Sequence, residues 1–133
     1  MNKRLLLFSG FSGALAVALG AMGAHYLKSK LETGLITEAN LQTFETAVKY
    51  QMYHTIVILV VASFADKVKL ITTAAYCFIA GIILFSGSLY ILSLAGLLGL
   101  SHIGWLGPVT PLGGLSFITG WVVLGIGGLK SKK

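Results

Sequence analysis

Residues 70–129 read LITTAAYCFIAGIILFSGSLYILSLAGLLGLSHIGWLGPVTPLGGLSFITGWVVLGIGGL, 60 positions without one Asp, Glu, Lys or Arg. As a single α-helix this stretch would reach about 90 Å at 1.5 Å per residue, roughly three times the hydrocarbon thickness of a bilayer. It must therefore fold back. Gly96, Gly99, Ser101, His102, Gly104, Gly107, Pro108 and Pro111 cluster near its middle, and glycine and proline at that density interrupt helices. Two apolar helices are predicted, at about 70–97 and 111–129. The uncharged loop 98–110 between them is apolar enough to dip into the membrane interface. Both runs are continuously apolar rather than alternating, which argues against a membrane β-barrel.

Upstream, Leu5–Ala24 supplies 20 uncharged positions behind Lys3 and Arg4. The pattern resembles a secretory signal, but a signal's apolar region is only about 7–15 residues long. A retained first span is expected. The second span, about 44–65, contains Tyr50–Ala65, 16 uncharged positions between Lys49 and Asp66. A helical segment beginning near Glu38, with Thr37 as N-cap, extends it. The expected fold is all-α: an integral membrane four-helix bundle forming one domain, 1–133, with both termini cytoplasmic.

Composition agrees. Of the 133 residues 56% are hydrophobic and 11% charged, and the mean hydropathy is +0.87. A soluble domain is about a quarter charged, and a small one needs that polarity to cover its surface. Disorder needs the opposite composition. The net charge of +6 raises nucleic-acid binding, but the basic residues are placed otherwise. Lys3, Arg4, Lys28, Lys30, Lys49, Lys67, Lys69, Lys130, Lys132 and Lys133 flank the apolar runs, as anchors at lipid headgroups do. No nucleic-acid partner is expected. Seven of the ten fall on the side of the termini and three on the other, which is why the termini are read as cytoplasmic. Cys77 is the one cysteine, so an intramolecular disulfide is impossible. Its apolar neighbours do not suit a catalytic thiol.

Inside a bilayer, helices associate through small residues that let backbones approach. Ser12, Ala16, Gly20 and Ala24 recur every four residues in the first span, and Gly113, Gly120 and Gly127 every seven in the fourth. Both sets are read as packing faces. The 17 glycines do not form a phosphate loop, which needs a following Lys-Ser/Thr at the right place.

Four segments stand out together: Gly20-Ala21-Met22-Gly23-Ala24-His25; Phe44-Glu45-Thr46-Ala47-Val48-Lys49-Tyr50-Gln51-Met52-Tyr53-His54; Leu84-Phe85-Ser86-Gly87-Ser88-Leu89-Tyr90; and Pro111-Leu112-Gly113-Gly114. In this order they resemble the small bacterial membrane proteins of domain-of-unknown-function family 423, a family similar to a group of small eukaryotic transmembrane proteins. The resemblance implies a multi-pass protein of the bacterial cytoplasmic membrane and brings no activity with it.

On the four-span topology, the polar members of these segments converge on the outer half of the bundle. His25, Glu45, Lys49, Tyr50, Gln51, His54, Ser86, Ser88 and Tyr90 are the candidate members of one outward-facing polar, ligand-binding cluster, because polar groups in membrane helices face the bundle interior or water. At 100° per residue Tyr50, Gln51 and His54 share one face of the second helix, and Glu45, Lys49 and Tyr53 lie roughly opposite. Glu45 and Lys49 are spaced to pair along the helix.

His25 and His54 raise a metal or haem, but a metal site wants three or four ligands and the third histidine, His102, lies in the loop. Neither metal nor other cofactor is expected, and no catalytic residue is assigned: Ser86-Gly87-Ser88 lacks the Gly-x-Ser-x-Gly frame. Trp105 and Trp121 are read as interface or packing aromatics. The function expected first is non-enzymatic, a structural or assembly component whose partners are the lipid bilayer and a second copy or another membrane protein. The alternatives are an oligomeric small-solute or ion transporter, and a lipid- or quinone-modifying enzyme.

Overall fold

The computed structural model describes residues 1–64 and 69–130, and these form four main helices and no strand. Helix α1 runs over Lys3–Glu32. Asn2 caps it, its side chain accepting from the backbone N–H of Arg4 and Leu5 at 3.1 and 3.3 Å. Helix α2 is Glu38–Ala62, and its cap is reciprocal: Thr37 accepts from the Asn40 backbone N–H while Asn40 accepts from that of Thr37. Helix α3 is Lys69–Leu94 and helix α4 is Val109–Lys130. A short 3₁₀ turn, Gly104–Leu106, precedes α4. Ala65 and Asp66, at the expected end of the second span, lie outside the described residues, as do Lys67, Lys132 and Lys133.

Glycine ends α1 and the α3 segment in the same way. Gly34 and Gly99 take φ of +73° and +64°, which costs glycine nothing. Leu35 and Leu100 then reach back to the carbonyls of Lys30 and Ala95, each at 2.9 Å, satisfying helix-end acceptors. α1 thus continues eight residues past Ala24, and Lys28 and Lys30 sit on its last turns rather than in a loop.

Three helical segments, Lys3–Glu32, Lys69–Leu94 and Gly104–Lys130, are long and apolar enough to cross a bilayer. α2 has the length, at 25 residues, but Glu38, Glu45, Lys49, Gln51 and His54 make it more polar. Its position compensates. α1 packs on one side of α2 and α3 on another, while α4 packs chiefly on α3. The chain therefore pairs each helix with its neighbour in sequence.

Antiparallel pairing follows from the contacts. Asn2 donates its backbone N–H to Ala62 O at 3.0 Å, and Gly127 near the end of α4 lies against Leu70 and Ile71 at the start of α3. One apolar core forms at this end, from Leu5, Ile58, Ala62, Ala74, Phe78 and their neighbours. A second forms at the other, from Leu27, Ile36, Leu41 and Phe44. Between the two lies a level of buried polar side chains: Ser12, Gln51, His54, Thr55 and Ser86.

The small-residue faces are used unequally. Gly113, Gly120 and Gly127 are all buried in the α3/α4 interface. In α1, Ser12 and Ala16 are buried but Ala24 is exposed, and Gly23 and Leu27 are buried in its stead. A four-residue step overruns the helical repeat by about 40°, so the stripe has turned by about 120° at Ala24. The Ser12–Ala24 packing line is corrected accordingly: Gly23 holds the place expected of Ala24.

Candidate functional site

The polar level is built from α2 outward. Gln51 faces α1 and α3. Its amide nitrogen donates to Ser12 O at 3.0 Å, and its amide oxygen accepts from the Tyr90 hydroxyl at 2.7 Å. Ser12 Oγ and Thr55 Oγ1 share a hydrogen bond of 2.6 Å. One glutamine thus ties α1 to α3 through α2.

His54, one turn on, faces α3 and α4. Its Nδ1 lies 2.8 Å from the carbonyl oxygen of Tyr50. A carbonyl can only accept, so Nδ1 carries the hydrogen. Nε2 then keeps its lone pair and accepts from Trp121 Nε1–H at 3.3 Å. The imidazole is stacked on Phe117, with centroids 3.6 Å apart and planes 8° from parallel. This pattern suits the tautomer with its hydrogen on Nδ1.

Ser86 and Ser88 of α3 bond across helices. Ser86 Oγ donates to Ala47 O of α2 at 2.8 Å. Ser88 Oγ lies 3.0 Å from Phe85 O and 2.7 Å from Thr110 Oγ1 of α4. Ser86 closes a π-helical turn, Ile82–Ser86, and His25 sits in another, Gly23–Leu27. Such turns insert a residue and re-aim side chains, and they recur at functional positions.

The nine candidate residues therefore do not form one cluster. Gln51 and Tyr90 meet each other. Tyr50 and His54 meet over the aromatic rings of α3 and α4, their centroids 6.0 Å apart. Ser86 and Ser88 serve backbone and α4. His25 is exposed on α1, outside these groups. Glu45 and Lys49 pair at 3.9 Å on the exposed side of α2. The expectation of a single outward-facing cluster gives way to separate bonds buried in helix interfaces, because α2 is wrapped on two sides and turns its polar residues toward different neighbours. Every buried side-chain nitrogen or oxygen among the described residues has a hydrogen-bond partner.

Sequence reasoning missed Thr55, Phe117 and Gly81. Thr55 carried a readable signal, a hydroxyl at mid-span beside His54. Phe117 carried none. Its ring fills the space where a side chain on Gly81 would stand, and that pairing depends on how α3 and α4 are rotated. No group of three or more His, Cys, Asp or Glu converges among the described residues.

Relatives agree on the kind of protein. The family model described as "Protein of unknown function (DUF423)" matches residues 19–114, a stretch that contains all four sequence segments. The chain is 42% identical over 131 residues to UPF0382 membrane protein YwdK of Bacillus subtilis, covering 96% of this chain and 98% of that one. It is 35% identical over 134 residues to UPF0382 inner membrane protein YgdD of Escherichia coli K12, covering 99% and 94%. No solved structure matches. With a family match across most of its length and relatives aligned nearly end to end, this apolar, all-helical membrane protein belongs to the DUF423 family.

Proposed function

We propose that this protein is a non-enzymatic, multi-pass component of the bacterial cytoplasmic membrane that acts by lateral assembly, with a second copy or with another membrane protein, and keeps both termini in the cytoplasm. One observation carries the reading. Gly10, Ala14 and Ala18 form a second small-residue line on α1, and all three are exposed. The buried Ser12 and Ala16 already serve α2, so this outer line is left for another helix. A Cβ added at Gly10 would meet nothing within 4 Å. Membrane helices dock on such faces because backbones can approach closely there. The engagement of the polar side chains in helix-to-helix bonds supports a structural role for them. The basic residues near the termini support the orientation.

Native mass spectrometry from nanodiscs, with cross-linking in membranes, tests the proposal. The wild type is expected as an oligomer or a defined complex. Gly10→Leu with Ala14→Leu is expected to yield an intact, helical monomer. A wild type that is monomeric and uncomplexed in both measurements would overturn the reading.

A further inference from the structure

Between α2 and α4 runs a cleft of about 330 Å³ whose walls include Tyr50, Phe85, Phe117 and Trp121, with His54 behind them. The rings of Tyr50, Phe85 and Phe117 are in mutual contact, and Trp121 meets His54 and Phe78. Tyr50 lies 4.7 Å from Phe85 and 6.1 Å from Phe117, centroid to centroid. Tyr50 is 40% exposed and Trp121 49%, so both present a face to whatever fills the cleft. The volume is at the small end for organic ligands, enough for one ring system.

Depth makes this unusual. Thr55, next to His54, bonds Ser12, and Ser12 lies near the middle of the apolar run Leu5–Ala24. By the register of α1 the cleft therefore lies near mid-height of the bundle, which also puts the exposed Lys49, one residue from Tyr50, within the span rather than at its end as the sequence suggested, whereas tyrosine and tryptophan usually sit at the two interfaces. The Tyr50 hydroxyl has no hydrogen-bond partner among the described residues. A hydroxyl facing hydrocarbon without an acceptor is costly. A phospholipid chain would fill the volume but brings no acceptor to that depth.

We propose that this cleft binds the ring of a lipid-soluble quinone. Such a molecule brings a flat ring to stack on the aromatic walls, a carbonyl oxygen to accept from Tyr50, and an apolar tail that keeps it in the hydrocarbon. Gly114 leaves the rim open. A Cβ there would meet only Phe85 Cδ2, at 3.9 Å, so a larger side chain can be accommodated by the fold and would occupy the cleft. The site is independent of assembly, since residues of one chain form all of it.

The test uses the full chain in nanodiscs with Trp105→Phe, leaving Trp121 as the only indole. A short-chain naphthoquinone is titrated in, and Trp121 fluorescence is followed. Saturable quenching is expected. Tyr50→Phe should weaken the apparent affinity roughly 2- to 10-fold, the loss of one neutral hydrogen bond. Gly114→Leu should abolish the saturable component while helical circular dichroism and monodispersity are retained. Quenching that rises linearly with quinone, or is unchanged by both variants, would overturn the proposal. So would displacement of the quinone by a saturated fatty acid at equal concentration, which would assign the cleft to acyl chains. Tyr50→Phe keeps the ring and removes only the hydroxyl, so the test survives a Gly114→Leu variant that does not fold.

Discussion

The two ends of the chain solve the same packing problem differently. α1 and α2 are joined by polar bonds: Ser12 to Thr55, and Gln51 to the Ser12 carbonyl. Most of their glycines are roomy: a Cβ on Gly20 would meet Val48 at an ordinary 3.5 Å and one on Gly13 would meet Thr55 at 3.7 Å, while Gly23, at 3.2 Å from the Phe44 ring, is the tight one. α3 and α4 are joined by glycines set against rings and backbone. A Cβ on Gly113 would collide with the backbone of Phe85, and one on Gly120 would come within 2.7 Å of the Phe78 ring. Hydrophobicity does not drive helices together in lipid, so close van der Waals packing and interhelical hydrogen bonds must. This protein weights the two devices differently on each side: Ser88–Thr110 and Ser116 to the Cys77 carbonyl also bond α3 to α4, but only there do glycines meet rings and backbone so closely, and Gln51 and His54 join the halves.

The contrast breaks most readily on the glycine side. Gly113→Leu should destabilise the fold by about 3 kcal/mol, the upper range for overpacking, because backbone rather than a side-chain tip must move. Unfolding by SDS in mixed micelles measures it, and a loss below about 1 kcal/mol would mean that α3 and α4 do not approach so closely. Gly120→Ala should cost about 2 kcal/mol, since the Phe78 ring can shift. On the polar side, Gln51→Leu should cost about 1–2 kcal/mol. A double-mutant cycle with Tyr90→Phe should return a coupling of about 1 kcal/mol, and a coupling of zero would remove the bond between them. Gly20→Ala should change stability by no more than about 0.5 kcal/mol, as expected where no cavity, clash or cap is involved. That value set beside Gly120→Ala is the sharpest measure of the difference between the interfaces. The smallest effect belongs to the exposed Glu45–Lys49 pair. Glu45→Gln should shift stability by about 0.5 kcal/mol or less, and a larger shift would place a partner on that face of α2.

Much of this was readable before any coordinates. The break between α3 and α4 follows from the cluster of glycine and proline, although α3 ends at Leu94 and α4 begins at Val109, a little before the expected 97 and 111, and Thr37 as a cap follows from its place before Glu38. Gln51 and His54 stand out because polar side chains in an apolar helix need partners. Their partners were not readable. Gln51 bonds residues 39 positions away on either side, in α1 and α3, and nothing local marks which helix it will face. Ala24 shows the same limit on a smaller scale: a four-residue rhythm looks continuous in the sequence but winds off the contact line in space.

The sequence by itself determined the class of protein and the number of helices. These depend on local composition: uninterrupted apolar length, glycine that tolerates positive φ, and charges that stop at the membrane surface. Only the tertiary structure decided that the polar residues divide among separate interfaces, that Gly81, Gly113 and Gly120 receive rings or backbone, and that Tyr50 and Trp121 frame a cleft. Those outcomes depend on the rotation of each helix about its own axis. In a bilayer that rotation is chosen by side-chain contacts with neighbouring helices, since lipid offers every apolar face nearly the same environment.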